Sequence, residues 1–351
     1  MTGQRLVSEQ VREKVLQYAP VLYFGRGENF YPMDAADYVA QCSLHLCVGD
    51  DEHQLILPPG YARIEHLAEV TSEHFLVYAD ETFIDPEEAA RLAEFVDQKR
   101  EETYLTWKID LLEDIRRLYE HIISEGLTVL RPAISMVTQG KLGEQVFEKA
   151  LDLYTSVKDN PPTYYYLYVP KVRCNRNMDV LQYWFFYAYN DWATSYEGIN
   201  DHEGDWEAIF LYFNDITQDE FPVEVLYSFH NTAKRRPWFS LKRIEKFSPA
   251  AYVALGSHAN LPDMEFHPPE LRWLPGGRVI GRGGDLDWQD PVDLNDMAWA
   301  KNFGGYWGAR YLWINLPGHF DVEKLGCSPH GPLYNSAPES CPGRMAGCKY
   351  R

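Results

Sequence analysis

The sequence predicts a mainly β protein with a helical insertion: an antiparallel β-sandwich core carrying an α-helical segment. Three observations carry that expectation. After Asn160-Pro161-Pro162, apolar runs recur at 163–172, 181–190, 205–213, 222–230 and 249–256, parted by Gly, Pro, Asn and Asp, and repeated short strands with no helices between them favour a sandwich or antiparallel sheet. Aromatic residues make up 15% of the chain, with 24 tyrosines and 10 tryptophans, which suits pleated, half-buried surfaces. Between 85 and 158 the period changes to that of a helix, with Ile115, Leu118, Tyr119 and Ile122 on one face.

Taken in order, Ser8 can cap a short helix over 9–17, and Ala19-Pro20-Val21-Leu22-Tyr23-Phe24 reads as a strand. Cys42-Ser-Leu-His45-Leu-Cys47 alternates like an ordinary strand, and packing explains it better than a metal. Asp85-Pro86-Glu87-Glu88 is a strong helix start. The helices that follow carry an apolar stripe, including Leu92, Phe95, Val96, Trp107, Leu111 and Leu112, which is expected to cover a neighbouring sheet rather than lipid. Beyond Pro262 the chain is rich in Gly and Pro and is expected to wrap the sheet as loops and short strands; Gly281-Arg-Gly-Gly284 is read as a loop. The expected organisation is therefore 1–84 as an N-terminal part of the β core, 85–160 as a helical insertion, and 161–351 as the main sandwich.

The 351 residues include 52 acids against 33 bases, a formal charge of −19, which disfavours nucleic acid and anionic membranes as partners. Lys234-Arg235-Arg236, with Lys242 and Arg243, is the one local exception and reads as a solvated loop. No stretch approaches the ~20 apolar residues of a membrane span, and the first residues lack a signal-peptide core, so a soluble, cytoplasmic protein is expected. The six cysteines form no CxxC and are expected to be reduced.

The chemistry concentrates at His202-Glu-Gly-Asp205-Trp206-Glu207. In a strand, Asp205 and Glu207 share a face with Ile209 and Leu211, while Trp206, Ala208, Phe210 and Tyr212 fill the other. Two carboxylates side by side in an apolar run conflict with burial unless a cation compensates or one acid keeps its proton. If the preceding strand pairs alongside, Asp191 meets them, and Asp191, His202, Asp205 and Glu207 make a mostly oxygen set suited to Mg²⁺, Ca²⁺ or Mn²⁺. The alternative is that both acids bond backbone amides in a Gly-rich turn that His202 caps. His230 and His258 end strands, and are candidate catalytic proton carriers. Ser257 lies in Gly-Ser-His, not in a nucleophile elbow.

Tyr18-Ala-Pro-Val-Leu-Tyr-Phe, Glu28-Asn-Phe-Tyr-Pro32, Gln182-Tyr-Trp-Phe-Phe-Tyr-Ala-Tyr-Asn190, His202-Glu-Gly-Asp-Trp-Glu207, Ala254-Leu-Gly-Ser-His-Ala-Asn260, Gly305-Tyr-Trp-Gly308 and Gly331-Pro332 together resemble the vacuolar protein sorting-associated protein sixty-two-like family. More distantly, the His-x-x-Asp-x-Glu element is similar to that of the necrosis- and ethylene-inducing proteins. That resemblance implies a divalent ion on a β-sandwich, with Asp191 in the upstream position; the secreted toxin role does not follow from it. Two functions are expected: a metal-dependent enzyme using His230 or His258 on a small polar or lipid-like substrate, or a metal-dependent module binding a glycan or lipid head group without catalysis. A purely structural ion is the third.

Overall fold

The computed structural model describes residues 2–48, 53–78, 140–174, 176–191, 202–229, 232–244, 246–264, 273–308 and 328–335. Along these residues run α1 (Thr2–Tyr18), β1 (Val21–Phe24), α2 (Ala35–Val39), β2 (Ser43–Cys47), β3 (His53–Leu57), β4 (His74–Val77), α3 (Gly140–Val157), β5 (Tyr165–Cys174), β6 (Arg176–Asn190) and β7 (His202–Phe213). They continue with β8 (Glu224–Phe229), β9 (Thr232–Pro237), β10 (Arg243–Ile244), β11 (Ser248–Val253), β12 (Asn260–Leu261), β13 (Val279–Ile280), β14 (Val292–Asp293), α4 (Ala298–Asn302) and α5 (Pro332–Asn335).

The aromatic runs pair into one six-stranded sheet in the order β14-β5-β6-β7-β8-β9. β6 and β7 form its spine, antiparallel from Asp179↔Phe213 to Asn190↔His202. A second sheet runs β10-β11-β1-β13, with β12 also on β11, and β3-β2-β4 form a third.

Both faces of the spine are dry, which is why its sequence reads as a continuous apolar run instead of an alternating one. Odd-numbered β6 residues face the second sheet and α1. Tyr183 donates to the Val15 carbonyl at 2.8 Å, and the Phe24 and Tyr187 rings meet at 6.4 Å. From β8, Tyr227 donates across the same interface to the Ala250 carbonyl at 3.1 Å. Even-numbered residues face α4 and the segment after it, where Phe186 lies 5.3 Å from Trp307 and Trp206 lies 6.3 Å from Trp299, ring to ring. Each fully buried side chain of this kind contributes roughly 1.5–3 kcal/mol. α3 lays Val146, Ala150 and Leu153 into the same core, a spacing that keeps one helical face inward.

The mainly β class with helical content is as the sequence predicts, and each of the five expected strands after 160 is present with shifted ends. Three expectations need correction. The sheets are mixed, since β1 runs parallel to β11 and β14 parallel to β5; these partners are distant in sequence, so no tight hairpin imposes the antiparallel sense. Ser8 lies inside α1, not at its start. Lys234-Arg235-Arg236 is not a loop but the body of edge strand β9. Most of the segment 85–158, including the stripe from Leu92 to Leu112 and the face of Ile115 to Ile122, lies outside the described residues; α3 falls in its last part.

Candidate functional site

The site assembles where β6 ends, β7 begins, and two loops of the second sheet arrive. Gly204 interrupts β7 with φ +59°, and a Cβ there would come within 2.3 Å of the Trp307 carbonyl oxygen. Only glycine fits such a place. The left-handed step sends neighbouring acids apart: Glu203 accepts from the Tyr78 amide at 3.1 Å, whereas Asp205 accepts from His258 Nδ1 at 2.9 Å.

His258 comes from the turn after β11. Its own φ is +54°, and its amide donates to the Ala254 carbonyl at 3.0 Å. The ring is fully buried, stacked on Tyr187 with centroids 3.9 Å apart and an interplanar angle of 4°. Its Nε2 lies 3.5 Å from Oε1 of Glu28. Glu28 in turn accepts from the amides of Asn29 at 2.9 Å, Phe30 at 3.0 Å and Gly256 at 2.8 Å. The result is a buried chain Glu28–His258–Asp205, joined by Asn190, whose Nδ2 donates to Asp205 at 3.2 Å.

Burial alone would lower the His258 pKa, but Glu28 and Asp205 outweigh it and raise it to about 9. Burial pushes Glu28 up, yet the imidazolium and the amides hold it below its ordinary value. Glu207 behaves oppositely: burial, reinforced by Asp205, drives its pKa well above the usual carboxyl range. Ser228 Oγ donates to its Oε2 while accepting from the Ala208 amide at 2.9 Å. His202 is also buried; burial lowers its pKa against the pull of Asp205, and its Nδ1 is 3.0 Å from the Gly204 carbonyl, to which it donates.

Asp205 and Glu207 thus share a face, with Asn190 and His258 beside them. Asp191 is buried next to Asn190, and its amide donates to the Gly256 carbonyl at 2.9 Å. Among the described residues no group of three or more His, Cys, Asp or Glu side chains gathers closely enough to hold a metal ion. The His258 ring stands against Asp205 in this crowd of acids. His230 lies outside the described residues. Glu28 is the member that sequence reasoning missed as a site residue. Its signal was an acid between the turn-forming Gly25-Arg26-Gly27 and the Phe30-Tyr31 pair that follows Asn29.

Several buried polar atoms in this region have no hydrogen-bond partner among the described residues: Tyr187 Oη, Asn190 Oδ1, Ser257 Oγ, His258 Nε2, and both amide atoms of Asn260. Asn260 pairs with Val253 across β12 and β11, and so sits beside the His258 turn.

No family model matches the chain, and no curated protein does. Weak structural neighbours are toxin folds of the necrosis- and ethylene-inducing type. One, described as a toxin fold for microbial attack and plant defense, aligns with TM-score 0.28 and 10% identity over 40% of this chain and 55% of its own. NLPPya in complex with glucosamine aligns at 0.26 and 10%, and in complex with mannosamine at 0.27 and 11%, again over 40% of this chain. The match spans about half the length of those structures, 54% and 55% for the two complexes. Among the described residues no helix is long and apolar enough to cross a membrane.

Proposed function

We propose that this chain is a binding module for a polar, hydroxyl- or amino-bearing ligand, a glycan or a lipid head group, held where β6 and β7 meet the His258 turn. The observation that carries this reading is the set of buried, unpartnered polar atoms on Tyr187, Asn190, Ser257 and Asn260 around the Asp205–His258 pair. Each such group costs about 1–3 kcal/mol when left unsatisfied, and a ligand rich in donors and acceptors would relieve that cost. Carboxylates accept pairs of hydroxyls, an amide offers both senses, and an ammonium beside Glu207 would favour the charged carboxylate that burial disfavours.

The geometry favours binding over turnover. A proton carrier needs a nitrogen that substrate can reach, and the His258 ring is fully buried, with Nδ1 on Asp205 at 2.9 Å and Nε2, without a hydrogen-bond partner among the described residues, 3.5 Å from Glu28. The finer proposal adds a hard divalent cation on Asp191, His202, Asp205 and Glu207. In its favour, His202 commits Nδ1 to the Gly204 carbonyl, the kind of bond that turns an imidazole so that Nε2 is presented to an ion. When bound, such an ion would supply a centre for ligand hydroxyls.

Calorimetric titration of the full chain with glucosamine, mannosamine and glucose, with Ca²⁺, Mg²⁺ or Mn²⁺ or with chelator, tests both levels. Saturable binding that Glu207→Gln abolishes supports the module, and its loss on chelation supports the ion. Absence of binding to every probe in either condition overturns the reading.

A further inference from the structure

We propose that the sheet edge at β9 and the turn leading into β10 form a docking surface for an anionic lipid bilayer. From 232 to 247 the chain carries Lys234, Arg235, Arg236, Lys242, Arg243 and Lys246 against the single acid Glu245, in a protein whose formal charge is −19. Charge on an edge strand is ordinary protection against stray pairing, and it would explain Lys234 to Arg236 alone. It does not explain the aromatic cluster that stands beside them.

Phe239 lies in the 3-10 turn Trp238–Ser240 and is 73% exposed, the highest value of any large hydrophobic side chain among the described residues. Phe221 meets it edge-on at 5.5 Å and stacks on Phe247 at 5.7 Å, and Val223 extends the exposed apolar strip. Cations stand over these rings. The Arg243 guanidinium is 5.4 Å from the Trp238 ring and 5.8 Å from Phe239, and Lys246 Nζ is 5.1 Å from Phe221 and 4.8 Å from Phe247. A projecting aromatic ring with basic side chains around it is the chemistry that settles at the head-group layer, ring inward and charges on phosphate.

Some of these cations have acidic neighbours: Lys246 with Glu220, Arg235 with Glu224 at 3.4 Å, and Arg236 with Asp263 at 3.2 Å, an acid that Lys234 approaches at 3.8 Å. Surface pairs of this kind contribute little to stability and exchange readily for another anion. Six cations against Glu220, Glu224, Glu245 and Asp263 still leave an excess of two. The remaining acids are screened beyond roughly 8 Å at physiological ionic strength, so they orient the molecule more than they repel it. A bilayer fits better than an acidic peptide, because the aromatic tip projects from a turn, and Pro237 ends the edge strand without a donor for an added strand.

The test is sedimentation of the full chain with vesicles of phosphatidylcholine alone, or with about 30% phosphatidylserine. Binding is expected only to the second, released by high salt. It should weaken about fivefold for each cation neutralised in Arg243→Gln and Lys246→Gln, and fall again in Phe239→Ser; thermal melting verifies that these surface variants fold. Equal behaviour on both vesicles, salt-independent binding, or variants that bind like the parent would overturn the proposal. So would binding to soluble polyglutamate with none to vesicles. The binding module at β6 and β7 stands or falls separately, since none of the substituted residues belongs to it.

Discussion

Asp205 and Glu28 hold the His258 ring from either side, and the ring meets no solvent. Its pKa is 6.5 in the open chain and about 9 in the fold. A group whose folded pKa is raised lends stability that is complete below the unfolded value and lost as pH climbs through the folded one. Urea unfolding should therefore show stability falling by about 3 kcal/mol between pH 6.5 and 9. Glu207, also raised, adds a decline of the same sign. His258→Gln should abolish most of that alkaline fall and lower stability by about 3 kcal/mol near neutrality, because two buried carboxylates lose their cation. A flat profile in the parent protein would refute this account. Glu207→Gln should behave differently. It removes an acid whose charged form burial and Asp205 disfavour, so the melting temperature should hold or rise at pH 8 while affinity for the polar ligand disappears. Parallel loss of stability and affinity would show that the carboxyl is a structural group.

At the scale of the element, β7 depends on one residue without a side chain. Gly204→Ala places a methyl against the Trp307 carbonyl and forces φ +59° on a residue with a Cβ; strain and overpacking together should cost about 3 kcal/mol, measured by denaturant unfolding. A cost below about 1 kcal/mol would mean that β7 can straighten, and that Glu203 and Asp205 need not diverge. The strands themselves were legible because apolar runs bounded by Gly, Pro and Asn leave few other readings. The shared face of Asp205 and Glu207 was legible too, since strand period is local. What was not legible was long-range. Glu28 and His258 are remote in the chain, so no spacing rule joins them, and the parallel pairing of β1 with β11 that brings them together carries no hairpin signature. The same limit holds at β9: Lys-Arg-Arg has no alternation that distinguishes an edge strand from a solvated turn.

For the whole molecule, a charge of −19 means that the folded state compresses like charges, and screening should relieve it. Raising NaCl from about 0.05 to about 0.5 M should lift the melting temperature; a drop would indicate that exposed pairs such as Arg12–Asp290 at 2.9 Å contribute more than the repulsion does. Glu28 accepts from the Gly256 amide across 228 positions of sequence. The first strand therefore cannot complete its pairing during synthesis until β11, more than two hundred residues later, has been made. An expression fragment that begins after Phe30 should accordingly fail to fold, because it leaves β11 and the His258 turn without the strand and the carboxylate that complete them.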